Sequence, residues 1–343
     1  MGRRESIARL QERLQSIEPG QKVKVDFFRP QDAEGVARLY LAVYGEDFPI
    51  DYVYDPAAIV EANAGPDLHQ VVVRTERGEV VGAASLFRSA PGRHIMEAGG
   101  LMLLPEYRQG SHGLDLPRLT HKVLPRRLGL WALQGQSVCD HLISQKIVAR
   151  LGMSPFALEL DALPTQTDSA GRESRRTALL SQFEIIEDQP QTIYPPERYA
   201  GIIAELYAEP GLDRRHAPGK LPAGQTQAEV GLIAYASLAR LEVAVVGNGF
   251  RAALAAMEEN HPGCHLHQVC LPLTDPGLPL AVEVACARGY FLAGPLPLWR
   301  DEDSLLMQKV AGEPDWAGIK LFGKRAQHLL DFIRHDREAV LGQ

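Results

Sequence analysis

Residues 93–113 read RHIMEAGGLMLLPEYRQGSHG, and this stretch decides the fold. An apolar run over residues 98–104 has the composition of a strand and stops at Pro105. It passes through Glu106 and Tyr107 into Arg108-Gln109-Gly110-Ser111-His112-Gly113, and residues 114–127 can then form a helix. A strand that empties through a glycine-bearing turn into a helix N-terminus builds an anion site, because the turn's N–H groups and the positive helix end converge. An ordinary strand-to-helix connection has the same local look, so the flanking elements must decide.

Before it, residues 22–28 alternate as a first strand, and residues 32–44 carry Val36, Leu39, Tyr40 and Val43 at helical spacing. Residues 56–64 can form a short helix. Two β-branched runs, 68–74 and 80–88, are joined by Glu76-Arg77-Gly78, a hairpin signal. After it come a strand at 129–138, a helix at 140–151 ended by Gly152, and strands at 155–160 and 177–186.

This order, with the strand, Pro105, Tyr107-Arg108 and the glycine turn, resembles the acetyl-CoA domain of the GNAT (N-acetyltransferase) superfamily. The family's loop runs Arg/Gln, two free positions, Gly, one free position, then Gly or Ala. Arg108 and Gly113 fit its ends, and Ser111 departs from the usual glycine. A doubly wound nucleotide-binding fold would want Gly-x-Gly-x-x-Gly after its first strand, and none stands there.

The second half repeats the coarse plan: a helix at 196–208, a Pro/Gly/charge-rich segment at 209–227 expected as a loop, and strands at 228–237 and 241–247 turned at Leu238-Ala239-Arg240. A helix at 249–259, a strand at 266–273, a helix at 279–288 and strands at 290–295 and 304–309 follow, then a terminal helix over 317–340. It resembles the degenerate second module of tandem GNAT proteins. The expected fold is therefore α/β in two GNAT-like modules, each a mixed, mostly antiparallel sheet flanked by helices. The expected boundaries are a lead-in helix at 1–19, a coenzyme-binding domain at 20–188 and a degenerate domain at 189–343, which lacks an Arg-x-x-Gly-x-Gly turn.

The resemblance implies an acyl-CoA-dependent N-acyltransferase, with acetyl-CoA as co-substrate and a small amine, amino acid derivative or peptide as acceptor. It places the backbone groups of Leu101, Met102 and Leu103 on the pantetheine and thioester, and Arg108, Gln109, Gly110, Ser111, His112 and Gly113 on the pyrophosphate. Glu97, eleven residues before Arg108, stands where several members carry a base. The usual acid, a tyrosine four residues before the glycine that ends the next helix, is Val148 here. Tyr44, Tyr52, Tyr54, Cys139 and His141 are candidates by elimination; His141 could equally cap the helix beside Asp140. The segment YGEDFPIDYVYD, with Tyr44, Tyr52, Tyr54 and four acids, suits a cationic acceptor and is equally the mix of an exposed loop. Val148 and Ser111 also leave open a silent acyl-CoA sensor, or a scaffold adapted to another reaction.

Composition bounds the rest. A chain of 343 residues suggests about two domains. Its net charge of −7 argues against nucleic acid as the main partner, and no apolar run reaches the roughly 20 residues that span a bilayer. The charged first residues lack a signal peptide's apolar core, so a cytoplasmic monomer or homodimer is expected. Cys139, Cys264, Cys270 and Cys286 form no C-x-x-C pair and read as small core residues. His261, Cys264, His265 and His267 lack a further ligand at a matching spacing, so no metal is expected.

Overall fold

The computed structural model describes residues 2–12, 17–108, 112–167 and 173–342. Two compact units divide the chain, residues 1–89 with 96–133 and residues 90–95 with 134–343.

The first unit opens on helix α1 (Arg3–Glu12). Strands β1 (Val23–Phe27), β2 (Leu68–Thr75), β3 (Val80–Phe87) and β4 (Ile95–Leu103) pair antiparallel in chain order. Helices α2 (Ala33–Tyr44) and α3 (Pro56–Ala64) stand between β1 and β2 in sequence. Val36, Leu39 and Tyr40 of α2 and Ile59 of α3 share a core with Val72, Ala83 and Met102. Alternate strand residues point to opposite faces, so Val71 and Val73 line the other side, also buried. Helix α4 (His112–Arg118) packs against β1, β2 and β3.

Two close contacts fix α2. A Cβ at Gly35 would come within 2.7 Å of Val80 Cγ2, so only glycine permits this approach. The buried Asp32 before α2 accepts from Arg74 Nε at 2.5 Å and from the Arg29 N–H at 2.6 Å, while Arg74 Nη2 also reaches the Phe27 carbonyl at 2.7 Å. The charges are thus paired and hydrogen-bonded where water is excluded.

The single helix expected over 114–127 is broken. After α4 the chain makes a π-turn at Leu119–Val123 and a short helix α5 (Leu124–Arg127). Pro117 and Pro125 lack the N–H that an unbroken α-ladder needs.

In the second unit, β5 (Ala132–Val138) precedes α6 (Ile143–Arg150), and a long hairpin of β6 (Ser154–Thr167) and β7 (Glu173–Ile185) follows. β7 lies between β5 and β6. β6 runs past residue 160, where the sequence pattern stops, because Asp161 adopts a left-handed φ of 48° within a bulge that breaks the alternation. Next come β8 (Gln191–Ile193), α7 (Glu197–Ala208) and β9 (Arg214–His216); β9 pairs with β8, so the segment expected as loop contains a strand.

The elements β10 (Gln227–Ile233), β11 (Leu238–Val245), α8 (Phe250–Asn260), β12 (Leu266–Pro272), α9 (Leu278–Cys286), β13 (Phe291–Leu296) and β14 (Ser304–Val310) build a second sheet, ordered β10-β11-β12-β14-β13. Only β11 and β12, joined through α8, run parallel. The hairpin turn expected at Leu238-Ala239-Arg240 falls earlier, at residues 234–237, closed by Ser237 with φ 49°. Helix α10 (Lys324–Leu341) starts after Gly323, later than expected.

Gln308 of β14 ties β6 to this sheet: its Oε1 accepts from the Leu160 N–H at 2.8 Å and its Nε2 donates to the Leu158 carbonyl at 2.9 Å. Residues 90–95 join the unit because the Gly92 N–H donates to the Trp299 carbonyl at 3.0 Å and the His94 N–H to Asp301 Oδ1 at 2.8 Å. The boundary expected at 188/189 lies inside this unit.

Candidate active site

β4 is not a regular strand. Ala83 of β3 pairs with Met102 and Ser85 with Gly99, so Gly100 and Leu101 together face Ala84. Gly100 takes φ +62°, which a side chain would strain, and the pair forms a β-bulge. A bulge interrupts the ladder and releases backbone groups from it. Met102 is buried in the core, whereas the Leu101 side chain is exposed. Of the three residues assigned to the thioester, Leu101 and Met102 therefore lie at or beside a break in the ladder.

Glu97 is half-buried on β4, paired across the ladder with Phe87. Beside it, a Cβ at Gly99 would meet the Phe87 ring at 2.9 Å. At Gly100 a Cβ would lie 3.4 Å from both Ser85 Oγ and the Tyr40 hydroxyl. Sequence reading placed Tyr40 in the core of α2 and missed its hydroxyl at the bulge.

Beyond β4, a turn at Pro105–Tyr107 leads to Arg108, whose N–H donates to the Pro105 carbonyl at 3.3 Å and whose Nε donates to Leu103 O at 3.1 Å. Arg108 is exposed. The buried Tyr107 donates its hydroxyl to Glu18 O at 2.7 Å. Gln109, Gly110 and Ser111 lie outside the described residues, and His112 and Gly113 open α4.

The three tyrosines expected to line an acceptor pocket divide. Tyr54 is fully buried; its hydroxyl donates to Gly45 O at 2.7 Å and accepts from the Phe48 N–H at 3.1 Å. It holds the turn after α2, and both of these bonds lie inside the first unit. Tyr44 is partly exposed, and Phe48 packs on both Tyr44 and Tyr40, at 4.9 and 5.0 Å between ring centroids. Burial pushes the phenols of Tyr40, Tyr44 and Tyr52 above the ordinary value, so they remain protonated at neutral pH. Three acids of this segment have structural partners: Asp51 pairs with Arg3 at 2.6 Å, Glu46 accepts from Gln11 at 2.9 Å, and Asp55 caps α3 through the Ala57 N–H at 3.0 Å. Any attraction for a cation thus rests more on ring faces than on those carboxylates.

A cavity of about 420 Å³ lies between α2 and the β2–β3 turn, lined by Glu34, Arg38, Arg77, Glu79 and Leu104. Its charges are matched within the unit, Arg38 with Glu34 at 2.7 Å and Arg77 with Glu18 at 2.9 Å. Nothing there points to chemistry.

His141 belongs to the second unit and sits at the start of α6. Its Nδ1 accepts from the Ile143 N–H at 3.3 Å and its Nε2 stands 3.8 Å from Asp140, the geometry of a helix-start residue. Burial pushes the Cys139 thiol up to about 12, which removes it as a nucleophile near neutral pH. Val148 is the sixth of the eight residues of α6 and has no hydroxyl to offer.

The second unit carries a strand-turn-helix where the sequence predicts one, β11 running through Val246-Gly247-Asn248-Gly249 into α8. Its donors are consumed internally. The Val246 N–H goes to Asp275 at 2.8 Å, the Gly247 N–H to Thr226 at 3.2 Å and the Asn248 N–H to Gly224 O at 3.1 Å. His265 pairs with Asp161 at 3.1 Å and His267 Nε2 meets His261 O at 3.0 Å; among the described residues no three ligands gather around one point. No helix of the described residues is long and apolar enough to cross a membrane.

Among solved structures, the chain is similar to the ribosomal-protein-S5-alanine acetyltransferase from Vibrio fischeri, at 17% identity over 52% of this chain and 100% of that one, with a TM-score of 0.40. It is also similar to a proposed acetyltransferase from Salmonella typhimurium solved with its cofactor acetyl-CoA, at 18% identity over 49% and 96%, with a TM-score of 0.39. A third is the ribosomal-protein-S18-alanine N-acetyltransferase from Escherichia coli, at 13% identity over 51% and 100%, with a TM-score of 0.38. No family model matches the chain, and no curated protein matches it.

Proposed function

We propose that this chain is an acyl-CoA-dependent N-acyltransferase of the GNAT type, with acetyl as the transferred group and a small amine, amino acid derivative or peptide as acceptor. The observation that carries the reading is the bulge at Gly100-Leu101 on a strand that runs on to Arg108 and the start of α4. A bulge frees backbone groups where a thioester carbonyl needs donors, and a helix start beyond it favours phosphate. The acetyl-CoA loop would comprise Arg108 to Gly113. Glu97 would take the ammonium proton, the amine nitrogen would then attack the thioester carbon, and the C–S bond would break as the resulting tetrahedral adduct collapses. The ring faces of Tyr44 and Tyr52 would receive the acceptor.

The second module would bind no coenzyme, because the donors of its own strand-helix turn are taken by Asp275, Thr226 and Gly224. One observation favours a second reading, a silent acyl-CoA sensor: Val148 stands where the family's acid would be. Thiol release from acetyl-CoA with a panel of alkylamines, amino acids and short peptides separates the two. Turnover with any amine supports transfer; tight coenzyme binding without turnover supports the sensor.

A further inference from the structure

A chain of polar side chains crosses the otherwise apolar face of the first unit and ends at the bulge. Asn63 Nδ2 donates to Gln70 Oε1 at 2.9 Å, and the Asn63 Oδ1 accepts from the Gln70 N–H at 3.1 Å. These contacts fix which way the Gln70 amide points, and its Nε2 donates to Ser85 Oγ at 3.2 Å. The Ser85 and Tyr40 hydroxyls lie on the same spot, each 3.4 Å from where a Cβ at Gly100 would stand. The row thus runs from Asn63 through Gln70 to Ser85, and the Tyr40 hydroxyl stands at its end beside the bulge. Gln70, Ser85 and Tyr40 are all buried, and buried polar groups in such a row need a reason to be there. The row ends beside Gly100, the residue whose missing side chain keeps the bulge and the phenol close.

We propose that Tyr40 is the hydrogen-bond donor to the departing sulfur, the function for which Val148 leaves no hydroxyl; this rests on the acyltransferase reading above. As the amine nitrogen bonds to the thioester carbon, the carbonyl pair moves to oxygen. When that pair returns, the C–S bond breaks and sulfur leaves with its electrons as thiolate. The Tyr40 O–H donates to that anion without giving up its proton, and solvent later protonates the sulfur. Glu97, having passed the ammonium proton to solvent, takes the proton that the nitrogen sheds as the amide forms. Burial holds the phenol above its ordinary value, which suits a donor that keeps its hydrogen. Ser85, Gln70 and Asn63 act as positioning residues.

The test compares acetyl-CoA with p-nitrothiophenyl acetate, whose acidic thiol leaves without help, using the best amine of the panel. Tyr40→Phe should lower kcat with acetyl-CoA about a hundredfold, the usual worth of one such donor, while coenzyme affinity by calorimetry stays unchanged. With the aryl thioester the same variant should stay within about threefold of wild type, since little charge on sulfur needs a donor. Ser85→Ala should give a smaller loss with the same dependence on leaving group. A Tyr40→Phe protein with undiminished kcat on acetyl-CoA, or with equal losses on both thioesters, overturns the assignment while leaving acyl transfer in place. A wild-type protein that transfers no acyl group to any amine removes the parent reading, and this one with it.

Discussion

Arg240 on β11 meets Glu159 on β6 at 3.0 Å inside the second unit, and the carboxylate is 2% exposed. Its other contacts come from Gln268 at 2.8 Å, Ser181 at 2.9 Å and Gln136 at 2.7 Å, so both oxygens are satisfied from four elements. Arg240 also donates to Gln268 at 2.7 Å and stacks over Trp299 at 5.8 Å. The network joins the long β6–β7 hairpin to the second sheet. It explains why residues 134–188 fall with the C-terminal part of the chain.

Removing one partner of such a pair leaves a buried charge uncompensated. Arg240→Ala should therefore destabilise the protein by about 3–5 kcal/mol, read as a lower urea midpoint. Replacing Glu159 and Arg240 together by Gln and Met should cost less than the sum of the single changes. Additive losses would mean the pair is not coupled.

Gly35 and Gly100 make separate predictions. Gly35→Val would drive a side chain into Val80 and should cost about 1–3 kcal/mol of stability with the chemistry otherwise unaffected. Gly100→Ala would place a Cβ at φ +62° against Tyr40 and Ser85, at a strain cost of about 1–2 kcal/mol, and should depress turnover more than stability. Equal catalytic effects of the two substitutions, corrected for stability, would detach the bulge from the reaction.

Two histidines set an acid limit on stability. Burial lowers the folded-state value of His69 and His267 below the ordinary 6.5. The unfolded chain therefore binds more protons in the window just below 6.5, so stability is full above it and falls as pH drops towards the folded values. The denaturation midpoint should decline from pH 7.5 to pH 5.5, and His267→Gln should flatten part of that slope. A slope unchanged in a His69→Gln, His267→Gln double variant would assign the acid limit to other groups.

Glu97→Gln keeps the shape of the side chain and removes its basicity. If Glu97 is the base, turnover should fall by about two to four orders of magnitude while coenzyme affinity is retained. Near-normal turnover across the pH range would exclude it.

Much of the architecture is legible in the residues. Val71-Val72-Val73 opposite the 80–87 run reads as a hairpin buried on both faces, and Gly152, with φ 96°, ends α6 as its position suggests. What escapes is irregularity. Nothing in Gly99-Gly100 says which glycine opens a bulge, and Asp161 hides a left-handed turn inside a strand. The site suffers from a related ambiguity. Tyr54 and Tyr40 have the same composition-level meaning, yet one phenol is consumed by Gly45 and Phe48 while the other ends a polar row at β4. Only the fold distinguishes a hydroxyl that holds a turn from one placed beside a strand bulge. Residues 90–95 join the second unit through Trp299 and Asp301, contacts separated by about two hundred positions that no local pattern reports.

A single acyl-CoA site in the first module should serve transfer to an amine. Calorimetric titration of the full chain with acetyl-CoA, repeated for Arg108→Glu, is the decisive measurement. One site per chain is expected, lost when the charge at position 108 is reversed. No binding by the wild-type protein, two sites per chain, or undiminished affinity in Arg108→Glu would contradict it.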